Sequence, residues 1–269
     1  MNIVCVGDCG IDHYLPSGKT LCGGITANFA LKARDVFPEN DTITIISAIG
    51  NDAGATVVRD RFKGSQMECR FTAREGASSV QYIEVKPDGE KDFVRYDEGV
   101  LRYFQLDRSD RDIIAASDLR VIPVFQQICD FFESVMAIDN GGVTAVDFSD
   151  FAKHPDMSLL DKYIDAIDIS FFGLSSEDED LIDVLEHKAE EHNKLFVITL
   201  GADGSIAFHG EDSVSCAAIP VGTVVDTTGA GDAFAAGFLS QYCYGASVSE
   251  SLSNGASLAA EIIQQTGAN

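Results

Sequence analysis

The chain has 269 residues, 45% of them hydrophobic, and carries a formal net charge of −24. That length suits one large α/β domain, or one domain with a small appendage. The acidity argues against nucleic acid and anionic membrane as partners, since both select basic surfaces, and no apolar run approaches the roughly 18–20 residues that span a bilayer. Met1-Asn2-Ile3-Val4-Cys5-Val6-Gly7 enters a strand pattern at once, with no charged leader region or cleavage site. Seven cysteines, an odd number without a C-x-x-C pair, read as free thiols of a reducing compartment. A cytoplasmic protein is expected.

In chain order, residues 2–7 read as a strand and 25–37 as a helix. Residues 43–48 are a β-branched strand, followed by the turn Gly50-Asn51-Asp52, where Asp52 is placed to cap a helix over 53–63. Residues 79–85 and 91–96 alternate polar and apolar around Pro87-Asp88-Gly89, the pattern of a β-hairpin. We place this hairpin outside the main sheet, beside residues 11–22, as a lid over a cleft. Short apolar runs follow at 119–123, 143–147, 167–172 and 195–200, with helical stretches at about 125–138, 157–165 and 176–191. That alternation is the signature of βαβ units and a parallel sheet covered on both faces. A last helix is expected over 248–265, stopped by Gly267.

The densest chemical signal is Val225-Asp226-Thr227-Thr228-Gly229-Ala230-Gly231-Asp232-Ala233-Phe234. Two glycines bracket Ala230, a carboxylate follows, and a small apolar run then reads as a helix. Backbone N–H groups at a helix N-terminus form an anion pocket, and glycine lets a phosphate approach closely. A carboxylate beside that pocket makes sense if it takes a proton from a hydroxyl that attacks the phosphate. Asp232 is therefore the candidate base, with Gly229, Ala230 and Gly231 as the amides facing developing charge.

Gly23-Gly24-Ile25-Thr26-Ala27-Asn28 opens the helix at 25–37, and Asn28 can offer both donor and acceptor to a polyol. Asp12, with Asp8 as a helper, follows the first strand, where open α/β sheets bind ligands. Gly18-Lys19-Thr20 is not a Walker element, because His13 stands where its first glycine belongs. Phe234 likewise stands where a dinucleotide fingerprint needs its third glycine.

These segments, in this order and over nearly the whole chain, resemble the ribokinase-like (PfkB) carbohydrate kinases. The resemblance implies a three-layer α/β/α sandwich with a mainly parallel sheet and a small β-sheet lid, residues 1–269 forming one domain. It implies transfer of the γ-phosphoryl of ATP to a sugar hydroxyl, with Mg²⁺ on the phosphates, Asp232 as base, and Asp12, Gly23, Gly24 and Asn28 at the sugar. It implies nucleotide contacts from the Thr199-Leu200-Gly201-Ala202-Asp203-Gly204 turn and from Asn254. Glu179 would act on Mg²⁺ through water, although Ser176 stands where the family has Asn. Asp226 and Thr228 would hold a monovalent cation, K⁺. A homodimer paired lid to lid is the expected assembly, with a small-molecule sugar as substrate.

Tyr96-Asp97-Glu98-Gly99-Val100 and Val146-Asp147-Phe148-Ser149-Asp150 resemble the fructoselysine 6-kinase branch. There the acceptor is a fructosamine phosphorylated at O6, and Asp92, Asp97 or Glu98 would pair with its ammonium. Fructokinase, ribokinase or nucleoside kinase activity, and a non-catalytic sugar- or nucleotide-sensing role, are the alternatives.

Overall fold

The computed structural model describes residues 1–15, 17–153 and 155–268; Pro16, within the expected 11–22 stretch, lies outside them. The chain opens with β1 (Asn2–Val6), the strand pair β2 (Gly10–Leu15) and β3 (Lys19–Gly23), and helix α1 (Ile25–Val36). Then come β4 (Thr42–Ile49), α2 (Ala53–Phe62), β5 (Glu68–Ala73), β6 (Ser79–Val85), β7 (Lys91–Asp97) and α3 (Arg108–Ala115). The middle of the chain supplies β8 (Leu119–Pro123), α4 (Cys129–Met136), β9 (Val143–Asp147), α5 (Ser158–Tyr163), β10 (Ile169–Gly173) and α6 (Glu179–His192). Last are β11 (Leu195–Thr199), β12 (Ser205–His209), β13 (Asp212–Cys216), α7 (Ala230–Tyr242) and α8 (Val248–Ile262).

The main sheet has nine strands in the order β13-β12-β11-β10-β9-β8-β1-β4-β5, and only β12 runs opposite to the rest, antiparallel to both β11 and β13. Its strands alternate between two cores. Ile3 and Cys5 of β1 join Phe29, Phe238 and Leu252 on the face covered by α1, α7 and α8. Val4 and Val6 join Phe132, Leu160 and Leu185 on the face covered by α4, α5 and α6. A parallel strand buried on both sides needs apolar residues at every position, which is why these runs are continuous in sequence. Because the strands are parallel, the carboxyl ends of β1, β9, β10 and β11 share one edge, and the polar residues discussed below gather there.

The second sheet has the order β3-β2-β6-β7, with β2 and β6 parallel and the outer pairs antiparallel. The hairpin at 79–96 therefore stands outside the main sheet, and its strand β6 pairs with β2. Asp52 caps α2 by accepting from Ala55 N at 3.0 Å, and its other oxygen accepts from Ser78 N at 3.0 Å, tying that helix to the start of β6.

Several boundaries differ from expectation. Helix α6 begins at Glu179 rather than 176, because Asp178 Oδ2 accepts from Ser175 N at 2.8 Å and closes a turn there. The final helix ends at Ile262 rather than 265, and Gly267 follows with φ 93°. Strand β5 is a half-exposed edge strand without clean alternation, so its sequence carries little strand signal.

Candidate active site

Asp232 lies in the first turn of α7 and is 7% exposed. The helix starts after Gly229, whose φ of 79° is left-handed, and a Cβ there would lie 2.2 Å from that of Ala268. Glycine is thus required for the backbone itself at 229. Gly231 differs: a Cβ would meet nothing within 4 Å, so its hydrogen leaves open space beside the helix N-terminus. Ala230 N already donates to Thr227 O at 3.2 Å.

Asn28, in the first turn of α1, donates from Nδ2 to Asp232 Oδ2 at 2.8 Å. Burial first, then the charge of Asp147, hold the Asp232 carboxyl well above the usual carboxylate range, while the Asn28 bond pulls it down. Asp147 closes β9, with Oδ1 accepting from Ser149 N at 2.7 Å, and burial raises its own pKa to about 6. Lys91 of β7 is the cation that offsets this, pulling Asp232 downward. At Asp150, burial favours the neutral form, but Lys91 and Lys153 outweigh it and keep the group ionised more readily than usual. Asp147 and Lys91 were absent from the candidate residues. The usable signal for Asp147 was its place at the carboxyl end of an expected parallel strand; Lys91 had none, since only the packing of the hairpin tip brings it here.

Asp12 stands on β2 of the small sheet, just after β1 in the chain. It is 3% exposed and its Oδ2 has no partner among the described residues. Burial, with the charges of Asp8 and Asp226, pushes it up to about 8. Gly23 pairs with Gly10 on the same ladder and lies diagonal to Asp12: a Cβ there would sit 2.1 Å from the Asp12 carboxyl carbon, so glycine makes the room that the carboxylate occupies. Gly24 has φ 104°, and a Cβ would approach Asp8 O within 2.7 Å. Asp8 accepts from Ile25 N at 3.1 Å and from Thr26 N at 3.2 Å. Both Asp8 oxygens therefore accept from the first amides of α1.

Asp226 is fully buried, with Oδ1 accepting from Thr228 N and Oδ2 from Gly267 N, both at 2.9 Å. Thr228 Oγ1 and Tyr14 OH are buried together beside Asp226, and the Tyr14 hydroxyl interacts with both.

The expected nucleotide residues divide. Thr199 ends β11, and Gly201 and Gly204 bound a 3₁₀ turn with φ of 58° and 97°, on the carboxyl edge. Ser176 Oγ donates to Asp203 Oδ2 at 2.5 Å, joining the loop after β10 to that turn, and Glu179 is exposed beside it. Asn254 is not directed to the cleft by its donors: Nδ2 donates to Gly237 O at 2.8 Å and Ser240 Oγ at 3.3 Å, bridging α8 to α7. The carboxylates expected to meet a substrate ammonium are also otherwise placed. Asp97 pairs with Arg95 at 2.9 Å and Glu98 with Arg102 at 3.6 Å. Asp92 lies opposite exposed Glu84, on the face away from buried Ile83.

The arrangement sets a buried carboxylate, Asp232, at a helix N-terminus, within reach of the charge of Lys91 on the separate small sheet that also carries Asp12. The chain is 29% identical over 263 residues to fructoselysine 6-kinase of Escherichia coli strain K12, covering 98% of this chain and 97% of that one. It is 26% identical to fructosamine kinase FrlD of Bacillus subtilis strain 168, covering 100% and 93%. The crystal structure of Arabidopsis thaliana ribokinase complexed with ribose and ATP superposes with a TM-score of 0.80 at 21% identity, covering 99% and 93%. The pfkB family carbohydrate kinase model matches residues 2–269, and the chain belongs to that family of ATP-dependent sugar kinases.

Proposed function

We propose that the acceptor is a fructosamine such as fructoselysine, phosphorylated at O6, with Asp232 as the general base. The Asn28–Asp232 hydrogen bond carries the mechanistic part of this reading, because it aims a buried carboxylate from the phosphate-binding helix toward the acceptor side. The names and near-complete coverage of the two fructosamine-kinase relatives support the acceptor class.

In this reading Asp12 accepts hydrogen bonds from the sugar, with Gly23 giving it room. Asp232 takes the proton of the attacking hydroxyl. The N-terminal amides and dipole of α7 stabilise charge on the transferring group, and open space at Gly231 admits it. Lys91 supplies positive potential from the small sheet, which acts as a lid and excludes water. A base of raised pKa suits an alcohol acceptor, since proton transfer is most effective when the base is not too weak.

Mg²⁺ usually keeps several waters and binds through phosphates with one or two carboxylates. Exposed Glu179 and the Ser176–Asp203 pair fit that outer role, and the ion would neutralise phosphate charge. The buried oxygens of Thr228 and Asp226, set side by side, support a monovalent cation at that point.

Two measurements test the reading. A coupled ADP-release assay over fructoselysine, fructose, ribose, 2-keto-3-deoxygluconate and adenosine should give the highest kcat/KM for fructoselysine; a preference for plain fructose would remove the fructosamine assignment. Asp232→Asn should lower kcat by about 10³-fold while ATP still binds. Retained turnover in that variant would remove Asp232 as base.

A further inference from the structure

We propose that Thr227 is a positioning residue that latches the lid to the phosphoryl corner, so that the corner is fully built only when the lid is closed. Thr227 N donates to Gly89 O at 3.1 Å, and Lys91 N donates to Thr227 Oγ1 at 3.2 Å. Thr227 Oγ1 in turn donates to Glu90 Oε2 at 3.4 Å. One side chain and its own amide therefore hold three successive residues of the hairpin tip.

The seat is built for this. Gly89 has φ 88°, and a Cβ there would lie 2.7 Å from Val224 Cγ1 and 2.8 Å from Val224 O, so only glycine lets the tip rest on the 224–227 segment. On its other side, Thr227 O receives Ala230 N at 3.2 Å, which sets the first turn of α7. Thr227 thus stands between the lid tip and the helix N-terminus and bonds to both. Lys91, whose amide is one of the held groups, is the residue whose charge reaches Asp232.

Lid withdrawal must break all three bonds to the tip at once, removing the Lys91 charge and loosening the carbonyl that holds Ala230. Closure, which an acceptor on Asp12 of the same small sheet favours, restores them. Coupling of this kind keeps ATP from reacting with water before an acceptor arrives. It rests on the phosphoryl corner lying at α7, but not on the identity of the sugar.

The experiment compares Thr227→Val, which keeps shape and loses the hydroxyl, with Thr227→Ser, which keeps the hydroxyl, in the full chain. Amide hydrogen exchange is the direct readout. In Thr227→Val the amides of Lys91 and of position 227 should exchange about tenfold faster or more, and in Thr227→Ser they should stay near wild type. The amide of Lys91 is decisive, since it loses its acceptor while its own residue is unchanged, and the amide at 227 is read against its intrinsic rate.

Kinetics with ATP and fructoselysine, and with ATP alone, read the consequence. Thr227→Val should raise KM for fructoselysine and the share of ATP lost to water, with thermal midpoint and KM for ATP little changed. Gly89→Ala, at the buried contact of the tip with Val224, should reproduce this pattern with the Thr227 hydroxyl intact. Unchanged exchange at 227 and 91 in Thr227→Val, or equal defects in Thr227→Ser, would overturn the latch. If wild type does not phosphorylate fructoselysine, the acceptor assignment falls, while exchange and acceptor-free ATP hydrolysis still decide the latch.

Discussion

Asn28 and Asp232, separated by 204 residues, meet in a 2.8 Å hydrogen bond that joins the N-terminal turns of α1 and α7. The amide of Asn28 favours the ionised form of Asp232, against burial and against the charge of Asp147. A base works only when deprotonated, so turnover should rise with pH along an acid limb set by this carboxyl. Asn28→Leu removes the donor that lowers it. The acid limb of kcat/KM should then move to higher pH, with activity partly recovered under alkaline conditions. A uniform loss at every pH would show that Asn28 acts by contact with substrate alone.

Asp147 gives the opposite sign. Its charge raises Asp232, so Asp147→Asn should move the same acid limb to lower pH. The effect should vanish in high salt more slowly than that of a surface charge, because both groups lie inside the cleft. An unshifted pH profile in Asp147→Asn would separate the two carboxylates functionally.

Much of this site was legible because it rests on local backbone chemistry. Gly229 to Asp232 announces a helix N-terminus, and Asp52 announces a cap, from residues adjacent in sequence. The hairpin tip was likewise visible in Pro87-Asp88-Gly89. What escaped depends on packing between distant segments. Lys91 becomes relevant only because Gly89 seats the tip on Val224. Asn254 and Asp8 have side chains suited to ligands, and their bonds to Gly237 and to the start of α1 could not be read from their own sequence neighbourhoods. The β12–β13 hairpin also went unread, since a short apolar run does not declare the direction in which it will pair.

The two signature glycines should respond differently to the same added methyl. At Gly231 a Cβ meets open space and the backbone is ordinary, so Gly231→Ala should fold with an unchanged thermal midpoint. It should nevertheless lose phosphoryl transfer by about 10²-fold or more, because the methyl occupies the approach to the amides. At Gly229 the left-handed φ of 79° and the 2.2 Å approach to Ala268 make Gly229→Ala a folding defect, costing about 1–3 kcal/mol or more. Thermal melts beside single-turnover assays check both. Equal destabilisation in the two variants would mean that Gly231 too is there for the backbone.

Asp12 links acceptor binding to pH and stability. Its carboxyl is raised from an ordinary 3.8 to about 8, chiefly by burial. A raised folded-state value means the folded protein holds this proton more tightly than the unfolded chain does. The resulting stabilisation is fully present below about pH 4 and is lost as pH rises through 8. Asp12→Asn lacks this titration, so the ligand-free variant should gain stability relative to wild type as pH rises, on the order of a few kcal/mol between pH 4 and 9. Melting curves of both proteins across that range supply the difference, and parallel curves would contradict the buried, protonated carboxyl. Sugar hydroxyls donate best to the ionised form, so acceptor binding should pull the Asp12 proton off. The KM for acceptor in wild type should fall with rising pH over the same window, and that slope should be absent in Asp12→Asn.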